Sequence, residues 1–425
     1  MNRRLFLGQS AALLGASAGM NKLALASTKT KAKVVVVGAG YGGATTAKYM
    51  RMLSNNGIEV TLVEPNSDFI SCPLSNLVVG GSEKIAALTT PYDGLTNKYG
   101  IKMVKDRVTK IDAQKKTVTI GDGSTLSYDK LVLAPGIDMN FDAIEGLAQA
   151  SRDGVALQAW KAGPETVALH QQLADMPDGG VFAIAIPLAP YRCPPGPYER
   201  ACQVANYMQQ NKPKSKVIVL DANPDVSSKG KLFKAAWSDI YPGMVDYRPA
   251  HRVVGVDGKN KTITFEFEEA LKADVLNILP PMHAGNLVKD AGLANMNNRW
   301  AEVSFLDFAS TQAKDIHIVG DSIQTAPRMP KSGHMANQQA KVTAAAIVAE
   351  INDFPVNPNP VVTNTCYSFV DRSQVVHVAS VHQYDSEKAT FLPVKGAGGL
   401  SPEANQLEGI YAWGWAKNIW ADTVA

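Results

Sequence analysis

The sequence predicts an α/β protein with two parallel-sheet domains and a smaller α+β domain at the C-terminus. Three observations predict it. The β-branched run Val34–Val37 opens directly into a glycine-rich turn, Gly179–Ile186 reads as a second buried strand in mid-chain, and two short apolar segments, Tyr128–Gly136 and Ile316–Asp321, end in glycine turns. A chain of 425 residues, 45% hydrophobic and 19% charged, is long enough for two or three domains around large cores. Its 34 glycines and 24 prolines are spread without a short period, so they mark turns. Disordered, collagen-like and coiled-coil classes are excluded.

The first element in the chain is a leader. Arg3 and Arg4 precede Leu5, Phe6 and Leu7 and an Ala/Gly/Leu-rich stretch to Met20, and Ala24-Leu25-Ala26 supplies a small-x-small cleavage pattern. Adjacent arginines with Phe two places on fit a twin-arginine signal over residues 1–26, whose pathway exports folded, cofactor-loaded proteins to the periplasm. The run is interrupted by Gln9 and falls short of the roughly 18 apolar residues that a spanning helix needs, so no integral membrane span is expected. Cleavage takes Arg3, Arg4 and Lys22 from the 42 basic residues and none from the 39 acids. The mature chain is then formally neutral, and no basic footprint for nucleic acid remains.

Gly38-Ala39-Gly40-Tyr41-Gly42-Gly43 has the spacing G-x-G-x-x-G immediately after the first strand. A helix follows over Ala44 to Leu53, then a strand over Glu59 to Val63 ending at Glu64. Gly38 allows the tight turn, Gly40 admits a pyrophosphate to the backbone, and Gly43 lets helix pack on strand, while Glu64 is placed for a ribose hydroxyl. Three glycines alone would be weak evidence, because many glycine turns join strands to helices. With the strand before, the helix after and the acid at this distance, dinucleotide binding is the reading. Cys72, Cys193, Cys202 and Cys366 lie far apart, with no C-x-x-C and no zinc or haem spacing, so no metal site is expected. In an oxidising compartment they bridge at most two pairs, sparse for this length.

The strand Tyr128–Gly136 and the Gly320-Asp321 ending of the late strand both recur in flavoproteins with two dinucleotide-binding-type domains of the glutathione reductase kind. That resemblance selects FAD and gives Asp321 a contact to the ribityl or phosphate region. Nicotinamide-using members carry a second glycine fingerprint after the middle strand. Here Pro187, Pro190, Pro194, Pro195 and Pro197 fall within eleven positions instead. Proline has no N–H, so this loop makes a poor phosphate nest and a stiff mount for Cys193. Electrons must then enter from something other than a nicotinamide.

The run Arg192-Cys193-Pro194-Pro195-Gly196-Pro197-Tyr198-Glu199-Arg200, the segment Ser71-Cys72-Pro73-Leu74-Ser75-Asn76, the stretch Met329-Pro330-Lys331-Ser332-Gly333 and Asn364-Thr365-Cys366-Tyr367-Ser368 together resemble the flavoprotein subunit of flavocytochrome c sulfide dehydrogenase. The likeness runs from about Lys33 to the C-terminus, with sulfide:quinone oxidoreductases as relatives. It implies FAD bound through a thioether to Cys72, a redox-active disulfide between Cys193 and Cys366, and a separate c-type cytochrome subunit as acceptor. The implied activity is flavin-dependent sulfide:cytochrome-c oxidoreduction.

The chemistry of the residues is compatible with those roles. Hydrosulfide is a soft nucleophile whose natural electrophile in a protein is a disulfide, attacked at sulfur to give a persulfide and a thiolate. A Cys193–Cys366 bridge would also restrict the unfolded chain by about 4 to 5 kcal/mol, so structural stapling competes with the redox reading. Glu199 can reach back toward the Cys193 pocket as a proton carrier, or pair with Arg192 or Arg200. By analogy, Lys331 brings positive charge near the reduced ring and Trp415 lies beside the flavin. Val108 is counted with Gly38, Gly40, Gly43, Glu64, Cys72, Asp321, Lys331 and Trp415 among the cofactor-binding positions. Cys202 reads as a buried small hydrophobe beginning a helix to Met208, and the histidines as surface or satisfied core groups.

The order of segments gives a FAD domain over 31–145 and 281–353, a second nucleotide-binding-like domain lacking the nicotinamide fingerprint over 146–280, and a flavin-covering or interface domain over 361–425, after the Pro-rich linker 355–360. Three of the six tryptophans fall between Trp413 and Trp420. Two alternatives stand beside the main reading. A sulfide:quinone oxidoreductase would need an amphipathic, lipid-facing C-terminal helix, which this tail supports weakly, and a non-enzymatic periplasmic electron carrier would have an inert disulfide.

Overall fold

The computed structural model describes residues 32–425, and the export signal read over residues 1–26 lies outside the described residues. The opening strand Lys33–Val37 sits at the centre of a parallel five-stranded sheet, ordered Ile316–Ile318, Lys130–Leu133, Lys33–Val37, Glu59–Val63, Lys102–Val104. Val34 to Val37 are all buried, as a strand covered on both faces requires. The strand expected from Tyr128 begins only at Lys130, because Asp129 instead bonds back to Lys33, its amide to the carbonyl at 2.8 Å and its carboxylate to the amide at 2.7 Å. The first helix runs Tyr41–Leu53, so the glycine turn itself supplies the first helical turn. It packs against the long helix Gly333–Ile351, which starts under a Ser332 cap whose Oγ accepts from the Met335 amide.

A second parallel sheet is ordered Ala156–Leu157, Val275–Ile278, Val181–Ile186, Lys216–Asp221, Val245–Arg248. On one of its faces Ala183, Ala185, Ile218, Leu220 and Ile278 form a separate core with Ile144 and Leu147. The helix after the proline loop spans Gly196–Asn211. Cys202 lies in its middle rather than at its start. Pro197 misled the reading: proline is tolerated in a first helical turn, whose amides lack partners anyway.

The third unit is an antiparallel sheet of Val361–Phe369, Val375–Asp385 and Thr390–Leu400, followed by the helix Gln406–Val424. That helix returns to the glycine turn. Trp420 Nε1 donates to the Tyr41 hydroxyl at 3.1 Å, and Lys48 Nζ reaches the carbonyls of Ala421 and Ala425 at 2.8 and 2.7 Å. A cation at a helix C-terminus is electrostatically favoured. Among the described residues no helix is long and apolar enough to cross a membrane.

Candidate functional site

The glycine turn is shaped for a nucleotide. Gly38 has φ +90°, and a Cβ there would lie 2.6 Å from the Ala134 carbonyl oxygen; one on Gly43 would lie 1.8 Å from the Gly38 oxygen. Strand, turn and helix therefore close on each other only without side chains. Gly40 has open space where a Cβ would be, and as the helix cap it offers no side-chain acceptor to the first helical amides. Glu64 accepts from the Ala39 amide at 2.8 Å and from the Asn66 amide and side chain at 2.9 and 2.6 Å. A carboxylate accepts about four bonds, which leaves capacity for a ribose hydroxyl. Asp321 Oδ2 takes the Arg192 Nε–H at 2.7 Å, while its Oδ1 is buried with no partner among the described residues. An orphaned buried acceptor at the end of the late strand fits the hydroxyl-rich chain of FAD.

Val108 is buried at the head of the strand Val108–Asp112, opposite Ile120. Trp415 packs beside Tyr367 and His334, with ring centroids 6.1 and 5.7 Å away. Lys331 is buried; its Nζ donates to the carbonyls of Asp321 (3.0 Å) and Ile323 and lies 3.6 Å from the centre of the Trp300 ring. Burial pulls this amine down to about 7.

The proline loop is braced from beneath. Asn223 holds the Pro187 carbonyl at 3.0 Å and the Ala189 amide at 3.1 Å, and the hydroxyls of Tyr191, Tyr198 and Ser227 cluster over Asp221. The amides of Ala189, Arg192, Cys193 and Gly196 are all bonded within the protein, the last three to Met282 Sδ (3.4 Å), the Lys331 carbonyl (2.7 Å) and the Cys193 carbonyl (2.9 Å). Cys193 takes the left-handed conformation at φ 57°, a strain of about 1 kcal/mol that the bonds on either side hold in place. Its sulfur lies over the first residue of the helix Gly196–Asn211: a Cβ on Gly196 would come within 2.9 Å of Sγ and 2.7 Å of Trp160.

Cys366 shares one face of its strand with Asn364 and Ser368. Asn364 Nδ2 lies 3.3 Å from Cys366 Sγ, and Asn364 Oδ1 accepts from Ser332 at 2.6 Å. Residues 331 and 332 thus bind the Cys193 loop on one side and the Cys366 strand on the other. Arg192, next in sequence to Cys193, places Nη1 3.9 Å from Cys72 Sγ. Three cysteines from three separate parts of the chain therefore converge around Arg192, Asp321 and Lys331. All four cysteines are free thiols in this structure, and Cys202 is wholly buried in the core. Burial raises the Cys193 thiol, and the adjacent Cys366 raises it further. Burial also raises Cys366, but Lys229 and Asn364 pull it back.

Among the described residues Glu199 makes no ion pair. Its oxygens accept from Asn76 Nδ2 and the Phe369 amide, both at 2.9 Å, and burial raises its carboxyl above the usual range. The alternative of a Glu199–arginine pair is thereby excluded. Arg192 is engaged by Asp321, and Arg200, one helix position on and turned to another face, donates to Asn76, Gln158, Ala159 and Asn277. The histidine reading holds less well at His382, which is buried with Nδ1 unpartnered among the described residues. Sequence reasoning missed Lys229 altogether. It stands in Ser227-Ser228-Lys229-Gly230, which reads as a solvent turn, yet its Nζ is buried against Cys366 and Ser368.

Comparison with known proteins agrees with this geometry. Residues 32–163 match the pyridine nucleotide-disulphide oxidoreductase family, 166–280 the central part of the sulfide dehydrogenase (flavocytochrome c) flavoprotein chain, and 358–424 the flavin-binding part of flavocytochrome c sulphide dehydrogenase. A stretch of 46 residues, 11% of this chain, is 61% identical to 94% of the sulfide dehydrogenase (flavocytochrome c) flavoprotein chain of Chlorobaculum thiosulfatiphilum. The mitochondrial sulfide:quinone oxidoreductase of Dictyostelium discoideum is 25% identical over 356 residues, 80% of this chain and 72% of that one. The sulfide:quinone oxidoreductase structure from Aquifex aeolicus shares the fold with a TM-score of 0.74 at 20% identity, covering 92% of this chain and 91% of its own. The two-sheet α/β architecture, the flavin-binding segments and these matches agree, and the chain belongs to the flavocytochrome c sulfide dehydrogenase flavoprotein family of FAD-binding, sulfide-oxidising oxidoreductases.

Proposed function

We propose that this chain oxidises hydrosulfide at a disulfide formed between Cys193 and Cys366, carries FAD on a thioether to Cys72, and passes electrons singly to a c-type cytochrome subunit. The observation that supports the reading is the convergence of Cys72 and Cys193 beside Arg192, with Cys366 close enough to Cys193 to oppose its ionisation. Hydrosulfide attacks one sulfur of the oxidised couple; the S–S bond breaks, a persulfide forms on the attacked cysteine, and the other leaves as a thiolate. Bound FAD supplies the two-electron acceptor. Glu199, whose carboxyl burial raises above the usual range, carries protons at the edge of the couple. With the amides of Ala189, Arg192, Cys193 and Gly196 committed internally and five prolines supplying none, the proline loop is a poor bed for a nicotinamide donor. The cytochrome acceptor rests on the name of the matched family, and periplasmic work on the Arg3-Arg4 leader.

Anaerobic titration with sulfide tests the centre of this reading. Sulfide is expected to bleach the flavin, and Cys193→Ser and Cys366→Ser to abolish fast bleaching. An unchanged rate in either variant defeats the disulfide route, and no bleaching at all would favour an inert electron carrier. Denaturation should leave flavin on the native polypeptide and release it from Cys72→Ser. Turnover with cytochrome c against a soluble quinone decides the acceptor, and fractionation of cells expressing an Arg3→Lys/Arg4→Lys leader decides the export route.

A further inference from the structure

Lys229 precedes the helix Gly230–Asp239 in a left-handed conformation at φ 57°, a backbone state that usually calls for glycine. A lysine there turns its chain inward. Nζ donates to the Cys366 carbonyl at 3.0 Å, the Ser368 hydroxyl at 2.7 Å and the Val376 carbonyl at 3.2 Å. Its three protons are thus satisfied by neutral acceptors alone. Taking an ammonium out of water without a partner charge is among the costlier arrangements in a protein.

The acids within electrostatic reach are occupied elsewhere. Glu199, on the helix Gly196–Asn211, binds Asn76 and the Phe369 amide, and Glu408, on the C-terminal helix, binds Ser401 and His377. Among the described residues the other groups acting on it are the two sulfurs, ionisable as the free thiols of this structure and once the bonded couple is opened. Cys366 acts on Lys229 more strongly than either acid, and Cys193 acts on it as well. Ser368 and Cys366 lie on one face of the strand, so the contact at Ser368 Oγ sets the ammonium on the sulfur's side.

We propose that Lys229 is the counter-ion of the sulfur couple, drawing hydrosulfide in and holding the thiolate released at Cys366. The inference rests on the disulfide reading and deepens it by assigning the two sulfurs different parts. The better leaving group in thiol–disulfide exchange is the more acidic thiol, and Lys229, Asn364 and Ser332 all act to acidify Cys366. Hydrosulfide then attacks Cys193, forming a persulfide there. The Cys193–Cys366 bond breaks, its electron pair goes to Cys366, and the single negative charge passes from hydrosulfide to that thiolate with no net change in protons. A fixed ammonium matches the charge before and after.

The test is anaerobic stopped-flow reduction of the flavin-loaded native protein, Lys229→Met and Lys229→Arg by sulfide across pH, with flavin content and absorbance spectrum recorded for each. Lys229→Met is expected to bleach about 100-fold more slowly, the scale on which losing one preorganised electrostatic contact acts, and Lys229→Arg to recover most of the rate. Burial pulls the Lys229 amine down to about 8. The native rate should therefore fall above that pH as the ammonium loses its proton, and the Arg variant, which does not titrate there, should keep its rate. Sulfide's own ionisation is common to both proteins. A Met variant as fast as native overturns the inference, as does an Arg variant with the same alkaline fall. Where the Met variant fails to retain flavin, the Arg profile decides alone. A native protein that sulfide does not bleach sinks the disulfide reading itself, whereas one bleached through Cys193 but indifferent to residue 229 sinks only the role of Lys229.

Discussion

Glu199 is an enclosed carboxyl bonded to one side-chain amide and one backbone N–H. Burial raises its proton affinity, so from about pH 4 upward the folded protein keeps a proton that the unfolded chain has released. Stability contributed at this position falls as pH rises through that window. Glu199→Gln removes the titration: the variant should gain stability relative to native between acid and neutral pH in paired urea titrations, while sulfide-driven flavin reduction slows about 100-fold. Cys72, Cys193, Cys366 and Glu199 were visible in the sequence because residue type and local motif mark them. Lys229 was not marked, and Arg192 was marked only as part of the Cys193 run and a candidate partner of Glu199, since the partners that define them lie far along the chain. A lysine beside two serines is indistinguishable from a surface turn until the strand bearing Cys366 is laid over it.

At the scale of elements, the strands were the most legible. Val34–Val37 and Glu59–Val63 declare themselves by β-branched runs, and the observed bounds differ from the reading by a residue or none. The helix Gly196–Asn211 was less so, because Pro194, Pro195 and Pro197 look like loop when they in fact lead into and form a first turn. Its first residue is the place where element and chemistry meet. Gly196→Ala would drive a methyl group against Trp160 and Cys193 Sγ. Alanine suits a helix better than glycine, so the fold should persist with its flavin. Bleaching by sulfide should nevertheless slow about 100-fold, the effect of moving a reacting atom by roughly an ångström, and a native rate in this variant would show that the sulfur has room to retreat.

Across the whole molecule, Arg200 joins the units behind the site. It is fully buried, stacks 4.7 Å from the Trp160 ring, and donates to Asn76 of the first domain and to Gln158, Ala159 and Asn277 of the second. Arg200→Met leaves those acceptors dry and should cost about 3 kcal/mol, read as a lower urea midpoint with weakened flavin retention. No local pattern announces this tie, which exists only once two domains are docked. The three-unit layout was readable from segment order; the contacts that make the units one site were not.

The amide of Cys193 hangs from Lys331, Ser332 beside it grips Asn364, and Asn364 touches the sulfur of Cys366. Those links come from three regions widely separated along the polypeptide. Cys366 and Asn364 both stand on the strand Val361–Phe369, so a growing polypeptide can join them to the Cys193 loop only after that late strand has been made.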